Sequence, residues 1–548
     1  MIDTNEWRNI IMADIVLKSN NIFTGETDET LKGAVAIKGN RIRAVVGPAD
    51  IDPYIDDNTK VYELGDKLVI PGIVDGHVHL FLAACFVSPY MVDVTDAHSP
   101  EELADIVKEF ADAHPDFPFI AAGGWLPAHW EVPEYPQSPE LLDKAVPDRP
   151  VYTVACDYHT MWINTMAMRE CGITKESKVS FGSYGLDKDG ELTGVLYDFE
   201  ACTVAMTKGY AYPKEQMINI LDDYFSHLAE NGVTSIGYVA ITTVYQDDPN
   251  FGVLKEYAQE HDLKARVHMW PALGIDPDLE PQNKLRAEFT DDKLRFAGLK
   301  QFFDGVTYTF TAALLDEYTN NPGVTGKTFY PKEIYEKVIE QAQKQGFNLK
   351  LHVIGDAAIQ MALDIVEESL KKTKFKDLRT SLEHVEVIAE SDVPRFGRLG
   401  IVPSIQTNHM VMNDNEKIEA LGLERARWEY PNRTLLDTGA VLAFGSDNPV
   451  VGVESTTNLY AAVTRCDYDG NPTGCNPEEA ISLAEAIRAY TYGSAYSVDF
   501  EKKAGTLTTG KLADIAVFDG PMFGEDPKVI LDRKIDLTIC DGKVVFER

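Results

Sequence analysis

Basic residues are scarce in this chain. Lys and Arg number 51 against 87 Asp and Glu in 548 residues, a formal net charge of −36. Such a surface repels phosphate backbones and anionic lipid, so neither nucleic acid nor a membrane is an expected partner. Long apolar runs are also missing. No stretch is long enough to span a bilayer, and the first residues, with Asp3, Glu6 and Arg8, lack the apolar core of a signal peptide. A compact pattern starts at Met12, and the residues before it read as a ragged extension. Paired-cysteine spacing is absent as well. Cys85, Cys156, Cys171, Cys202, Cys466, Cys475 and Cys540 are scattered and odd in number. That predicts buried thiols in a reducing cytoplasm rather than a disulfide scaffold. There is no low-complexity tract and no obvious repeat.

What is present is an ordinary globular composition, with 44% hydrophobic residues, enough for a sizeable core. Both ends read as short strands. Near the start these are Ile15-Val-Leu, Ala34-Val-Ala-Ile, Ile42-Arg-Ala-Val-Val and Lys67-Leu-Val-Ile; near the end, the runs after Gly510, Ile535 and Lys543. The middle alternates apolar strands with helical stretches such as 330–345 and 357–371. Eight candidate strands end near His79, Val239, Trp270, Phe302, Ile354, Val385, Ile405 and Phe444. Such alternation predicts an α/β fold, a TIM-like (β/α)8 barrel with its active site at the C-terminal ends of the strands. A β-sandwich built from residues 1–70 and 500–548 would flank a barrel of residues 71–499. The interval 80–232, too long for one crossover, predicts an inserted subdomain after the first barrel strand.

Polar residues sit where those strands end. Pro71-Gly-Ile-Val-Asp-Gly-His77-Val-His79 places two histidines on one side of an extended segment, within reach of one ion. Two ligands do not make a closed site, and incidental histidines near a turn are the plain alternative. Leu349-Lys-Leu-His352 and Ser381-Leu-Glu-His384 put histidines at the fifth and sixth strand ends. Phe444-Gly-Ser-Asp447 puts a carboxylate after the eighth. Recurrence at equivalent strand ends is what gives each residue weight. In the fourth strand, Phe296-Ala-Gly-Leu-Lys300-Gln-Phe-Phe-Asp304 buries a lysine, which is costly as a cation. Either Lys300 pairs with a nearby acid such as Asp304, or its amine has taken up carbon dioxide to give a metal-bridging carbamate.

Together these stretches resemble the amidohydrolase superfamily of metal-dependent hydrolases, in the branch that includes N-substituted formamide deformylase. The resemblance runs over nearly the whole chain. Beyond the motifs above it includes Gly123-Gly-Trp125, Asp157-Tyr-His159-Thr-Met-Trp162, Asp189-Gly-Glu-Leu-Thr-Gly194, Gln406…His409 and Gly505-Thr-Leu-Thr-Thr-Gly-Lys511. It implies His77 and His79 on one metal, His352 and His384 on a second, carboxylated Lys300 as the bridge, and Asp447 beside the first. Two departures bear on substrate contacts: Asp198 stands where relatives often have Glu, and Gln406 lacks the usual following proline.

The implied chemistry is hydrolysis of a non-peptide C–N bond, amide or formamide. Two divalent ions, foremost Zn²⁺ with Mn²⁺, Fe²⁺ or Co²⁺ as alternatives, activate water, and Asp447 shuttles the proton. His409 would hold the substrate carbonyl, or be a structural loop histidine. Trp125, His159 and Trp162, with Trp130, would line the mouth from the insertion; Arg433 or Arg427 would hold a substrate carboxylate. Two other readings stay open. One is a single-metal deaminase, ester or cyclic-amide hydrolase with unmodified Lys300. The other is a non-catalytic assembly protein on the same scaffold. A homodimer is the expected oligomer.

Overall fold

A computed structural model describes residues 12–548 except 126, 128, 129, 133, 157, 180, 181, 240–248, 413 and 475. His129, Asp157, Cys475 and the stretch before Met12 lie outside the described residues. The chain divides into two compact units. One draws on 1–78, 225–245 and 261–548, the other on 79–224 and 246–260.

In the first unit the two ends of the chain share one eight-stranded sheet. Its path runs Lys543–Glu547, Ile535–Cys540, Ile515–Phe518, Leu68–Pro71, Ile15–Ile22, Leu31–Lys38 and Arg41–Val46, with Lys60–Glu63 pairing onto Ile15–Ile22. Alternation along the strands gives the sheet two apolar faces. Leu17, Val35, Ile37, Val69, Ile515 and Leu537 gather on one; Val16, Ala34, Ala36 and Ala44 gather on the other. In place of the expected two-layer sandwich, all eight strands belong to a single paired sheet.

The same unit holds the parallel strands. Ile73–Val78, Val233–Val239, Arg266–Trp270 and Leu294–Phe296 form a four-stranded sheet. Leu299–Phe302, Leu349–Val353, Thr380–His384, Val402–Ile405 and Ala443–Phe444 form a five-stranded one. Helices follow the strands. Lys332–Lys344 and Asp356–Lys372 each bury one stripe, the latter through Ala358, Ile359, Ala362, Leu363 and Val366. Asp356 in its first turn and Lys371 and Lys372 in its last favour the helix dipole.

The pairing does not form one closed sheet. The expected fourth strand is two, separated at Ala297-Gly298, because the Trp270 ring packs into the space a Gly298 side chain would need; a Cβ there would meet it at 2.2 Å. Single parallel bridges, Ala272 with Lys300 and Val78 with Asn448, link the two sheets at their edges.

The second unit has a six-stranded sheet of its own. Its order is Ser183–Leu186, Leu192–Tyr197, Thr160–Ile163, Val151–Ala155, Ile120–Trp125, Met91–Asp93. The helix Pro100–Ala113, capped by Ser99 accepting from the Glu102 N–H, packs Leu103 and Val107 into the core beneath it. No helix among the described residues is long and apolar enough to cross a membrane.

Candidate metal centre

The parallel strands of the first unit end in a cluster of ionisable side chains. His77 comes from Ile73–Val78, Lys300 from Leu299–Phe302, His352 from Leu349–Val353 and His384 from Thr380–His384; Asp447 follows Ala443–Phe444. All are buried. His77 Nε2 lies 3.4 Å from Asp447 Oδ1 and 3.3 Å from Lys300 Nζ. Asp447 Oδ2 lies 3.9 Å from His384 Nδ1. The His77 and His384 rings are 5.0 Å apart, and the His352 ring stands edge-on to His384 at 4.4 Å. His77, His384 and Asp447 can each place one ligand atom within 4.8 Å of the other two.

Two backbone features aim these groups. Neighbouring residues on a strand face opposite ways, so Glu383 and His384 should not serve one site. They do because the backbone leaves the strand at that point: His384 has φ 76° and Val385 φ 48°. A β-branched residue in that region is strained. The turn is held by hydrogen bonds from Val385 N to Val353 O and from Val387 N to Ile354 O. Asp447 is similar, with φ 59° and its N–H on the His77 carbonyl at 2.8 Å.

Burial dominates the electrostatics. It pulls the His77 imidazole down to about 4, with Lys300 adding to the effect and Asp447 and Glu383 opposing it. Burial and the neighbouring His352 hold His384 well below its usual range. Burial lowers the Lys300 ammonium to about 8 against the pull of Glu383 and Asp447. Burial alone would raise Glu383, but Lys350 and His77 outweigh it and keep the carboxyl well below its usual range. Asp75, whose Oδ1 accepts from the Ser446 N–H at 2.9 Å, is pushed by burial up to about 6.

These groups fit a divalent cation. Imidazoles kept neutral offer lone pairs, and a carboxylate oxygen facing one at 3.4 Å repels it unless a positive charge lies between. His384 Nε2 is buried with no hydrogen-bond partner among the described residues. Two imidazole nitrogens and one carboxylate oxygen suit Zn²⁺.

Other anticipated residues lie on further elements of the two units. His79 opens the second unit at the start of the helix Leu80–Val87. Trp125 and Trp162, expected at a substrate mouth, are fully buried in the second unit's own core, with Leu103, Val107 and Val195. Both lie on strands of its sheet, and their large apolar surface fills its interior. Trp130 stacks on Trp125 at 5.5 Å. His159 Nδ1 pairs with Asp198 Oδ1 at 3.1 Å. Arg433, expected to hold a substrate carboxylate, is instead taken up by Glu485 at 2.6 Å and Asp437 at 2.8 Å. Arg427 is exposed near Glu478. Asp304 is not the partner of Lys300. Its carboxylate accepts from the backbone N–H groups of Ala313, Ile354 and Gly355. His409 opens the short helix His409–Met412, its ring 6.2 Å from that of His384.

Sequence reasoning gave no role to Glu383, Lys350 or Ser381. Glu383 Oε2 lies 2.6 Å from His77 Nδ1. Its Oε1 accepts from Lys350 Nζ at 2.9 Å and from the Ser381 hydroxyl. One signal was available: Lys350 and His352 are two apart on a strand and so share a face.

The chain is similar to known proteins over nearly its whole length. The model of the amidohydrolase family matches residues 60–546. Protein LONG AFTER FAR-RED 3 of Arabidopsis thaliana is 28% identical, over 98% of this chain and 92% of that protein. N-substituted formamide deformylase of Arthrobacter pascens is 23% identical, over 98% and 99%. An uncharacterised metal-dependent hydrolase from Pyrococcus horikoshii superposes with a TM-score of 0.75 at 23% identity, covering 94% of this chain and 98% of that one.

Proposed function

The chain belongs to the amidohydrolase family and is a hydrolase of carbon–nitrogen bonds, and from that premise we propose that it cleaves a non-peptide amide or N-substituted formamide. The observation that carries the reading is the convergence of His77, His384 and Asp447 from three strand ends. The similarity to N-substituted formamide deformylase supports the substrate class.

His77, His384 and Asp447 would hold a divalent ion, which when bound would supply Lewis acidity toward a carbonyl and acidify water. Asp447 takes the proton from the attacking water and returns it to the leaving nitrogen, which would otherwise depart as a strongly basic anion. His409 Nε2, buried and without a hydrogen-bond partner among the described residues, orients the substrate carbonyl. The enclosing apolar strands exclude bulk water and strengthen these interactions. The free thiols Cys85, Cys171, Cys466 and Cys540 support a reducing, cytoplasmic setting.

A fuller form of the centre has a second ion with His352 and a carbamate on Lys300. His384 stands between the two sets: it groups with His77 and Asp447, and its ring is 4.4 Å from that of His352. Metal stoichiometry per chain, with intact mass for the carbamate, separates the one-ion and two-ion forms.

The test is hydrolysis of N-formyl, N-acyl, cyclic-amide and ester compounds by the metal-loaded protein. Turnover confined to esters overturns the proposal. Asp447→Asn, assayed at saturating metal, is expected to lower kcat by about 10²–10⁴-fold. Full activity in that variant would remove Asp447 from the mechanism.

A further inference from the structure

The carboxylate of Glu383 meets three partners with its two oxygens. Oε1 receives Lys350 Nζ at 2.9 Å and the Ser381 hydroxyl. Oε2 meets His77 Nδ1 at 2.6 Å. Glu383, Lys350 and His77 are wholly shut off from solvent, each 0% exposed. Their placement follows from strand register. Lys350 lies opposite Ser381, and His352 opposite Glu383, so Lys350 and Glu383 face the same interior one step apart. The Lys350 ammonium also rests over the Trp270 ring at 5.2 Å.

An ammonium and a hydroxyl on Oε1 both donate, which marks Glu383 as an ionised, accepting carboxylate. The hydrogen between Oε2 and His77 therefore sits on Nδ1. A neutral imidazole protonated at Nδ1 has its lone pair at Nε2, the atom that faces Asp447 at 3.4 Å. Loss of Glu383 removes an acceptor of the Nδ1 hydrogen and so lowers the cost of the other tautomer, in which the proton sits where an ion should bind.

We infer that Glu383, held by Lys350 and Ser381, is the positioning residue that fixes His77 in its Nδ1–H tautomer and so sets the affinity of the centre for a divalent cation. The inference rests on the reading of His77 as a ligand. Glu383 does not touch the substrate; it acts through the ring it orients. The strand Thr380–His384 then serves the centre twice, with His384 reaching the site directly and Glu383 acting from behind His77.

The test uses the full-length chain, stripped of metal and titrated with Zn²⁺ against a chromophoric chelator. Glu383→Gln supplies an amide that both donates and accepts, so it satisfies either tautomer. It also leaves the Lys350 ammonium buried without its counter-charge. The double variant Glu383→Gln/Lys350→Met removes that second defect and keeps the test valid if the single variant folds poorly. The double variant is expected to bind Zn²⁺ about 10–100-fold more weakly than the wild type. In the metal-free proteins, ¹⁵N resonances of His77, identified by their loss in His77→Ala, should report one tautomer in the wild type and a mixture in the double variant. Wild-type affinity and a single tautomer in the double variant overturn the inference, provided that His77→Ala itself binds weakly. If His77→Ala binds as tightly as the wild type, His77 is not a ligand, and the reading beneath the inference falls with it.

Discussion

His268 shows how far burial can act on one side chain. It is fully buried on the strand Arg266–Trp270, beside the Phe500 ring at 4.7 Å, and neither ring nitrogen has a hydrogen-bond partner among the described residues. Burial, then Arg295, Arg266 and Lys350, hold its pKa well below the usual value of about 6.5. The folded protein therefore carries His268 neutral, while the unfolded chain binds a proton there as pH falls through about 6.5. In that window the unfolded state holds more protons, so stability is present above it and is lost as pH drops. His268→Leu lacks this term. Relative to the wild type its unfolding equilibrium should improve by up to about tenfold per pH unit below 6.5, read from urea midpoints at pH 7.5 and 5. Parallel pH slopes would show that His268 is protonated in the fold. No pattern in the sequence distinguishes this histidine from His352, since both follow one apolar residue on a strand. The ligand candidates stood out because they recur at strand ends. The roles of Glu383 and Lys350 depend on which strands pair, and the burial of Trp125 and Trp162 depends on how the second unit's core fills; composition reports neither.

The strand Ile73–Val78 is squeezed between two others, and glycine makes the fit possible. A Cβ on Gly445 would lie 2.8 Å from both the backbone nitrogen and Cβ of His77, and 3.3 Å from the Asp75 carboxylate. On the other side, a Cβ on Gly237 would meet the Gly76 carbonyl at 2.3 Å. Gly445→Ala must therefore displace His77. It should cost about 1–3 kcal/mol in stability and weaken Zn²⁺ binding as well. Gly252→Ala, in the helix Pro249–Glu260 with no atom of the described residues within 4 Å of the added Cβ, is the control and should stabilise by up to about 1 kcal/mol. Unchanged Zn²⁺ affinity in Gly445→Ala would mean that the His77 backbone adjusts without moving the ring. The ends of the strands were legible in the sequence because apolar runs stop there at polar residues. The strain at His384 and Val385 was not, because Glu-His-Val-Glu carries no turn residue; tertiary hydrogen bonds impose that conformation. Likewise Phe296-Ala-Gly-Leu-Lys reads as one strand until Trp270 packs into it.

At the scale of the molecule, the excess of 36 negative charges works against compactness, so the few buried cations matter for where they join parts. Arg266 is the main example in the first unit. It starts a strand of the four-stranded sheet, yet its guanidinium reaches the eight-stranded sheet. Nε lies 2.8 Å from Asp514 Oδ2, and Nη2 lies 3.0 Å from Asp514 Oδ1 and 2.7 Å from Asp541 Oδ1. Asp514 precedes Ile515–Phe518 and Asp541 follows Ile535–Cys540, so one side chain ties two C-terminal strands to the base of the parallel strands. The Asp514 carbonyl also accepts from Gly72 N at 2.8 Å, where the chain passes from one sheet to the other. The Arg266 and Asp514 side chains are 1% and 3% exposed, so removing one strands the other. Arg266→Met is expected to lower stability by about 3–5 kcal/mol, because a buried carboxylate loses its partner. Arg266→Lys should recover little, since an ammonium cannot make the two-pronged contact. Arg266→Met/Asp514→Leu, with no buried charge left unpaired, should recover most of the loss. Guanidinium denaturation of the metal-free proteins reads all three. If the double variant is as unstable as Arg266→Met, the pair is needed to register the two sheets, and its contribution is one of geometry rather than of charge balance.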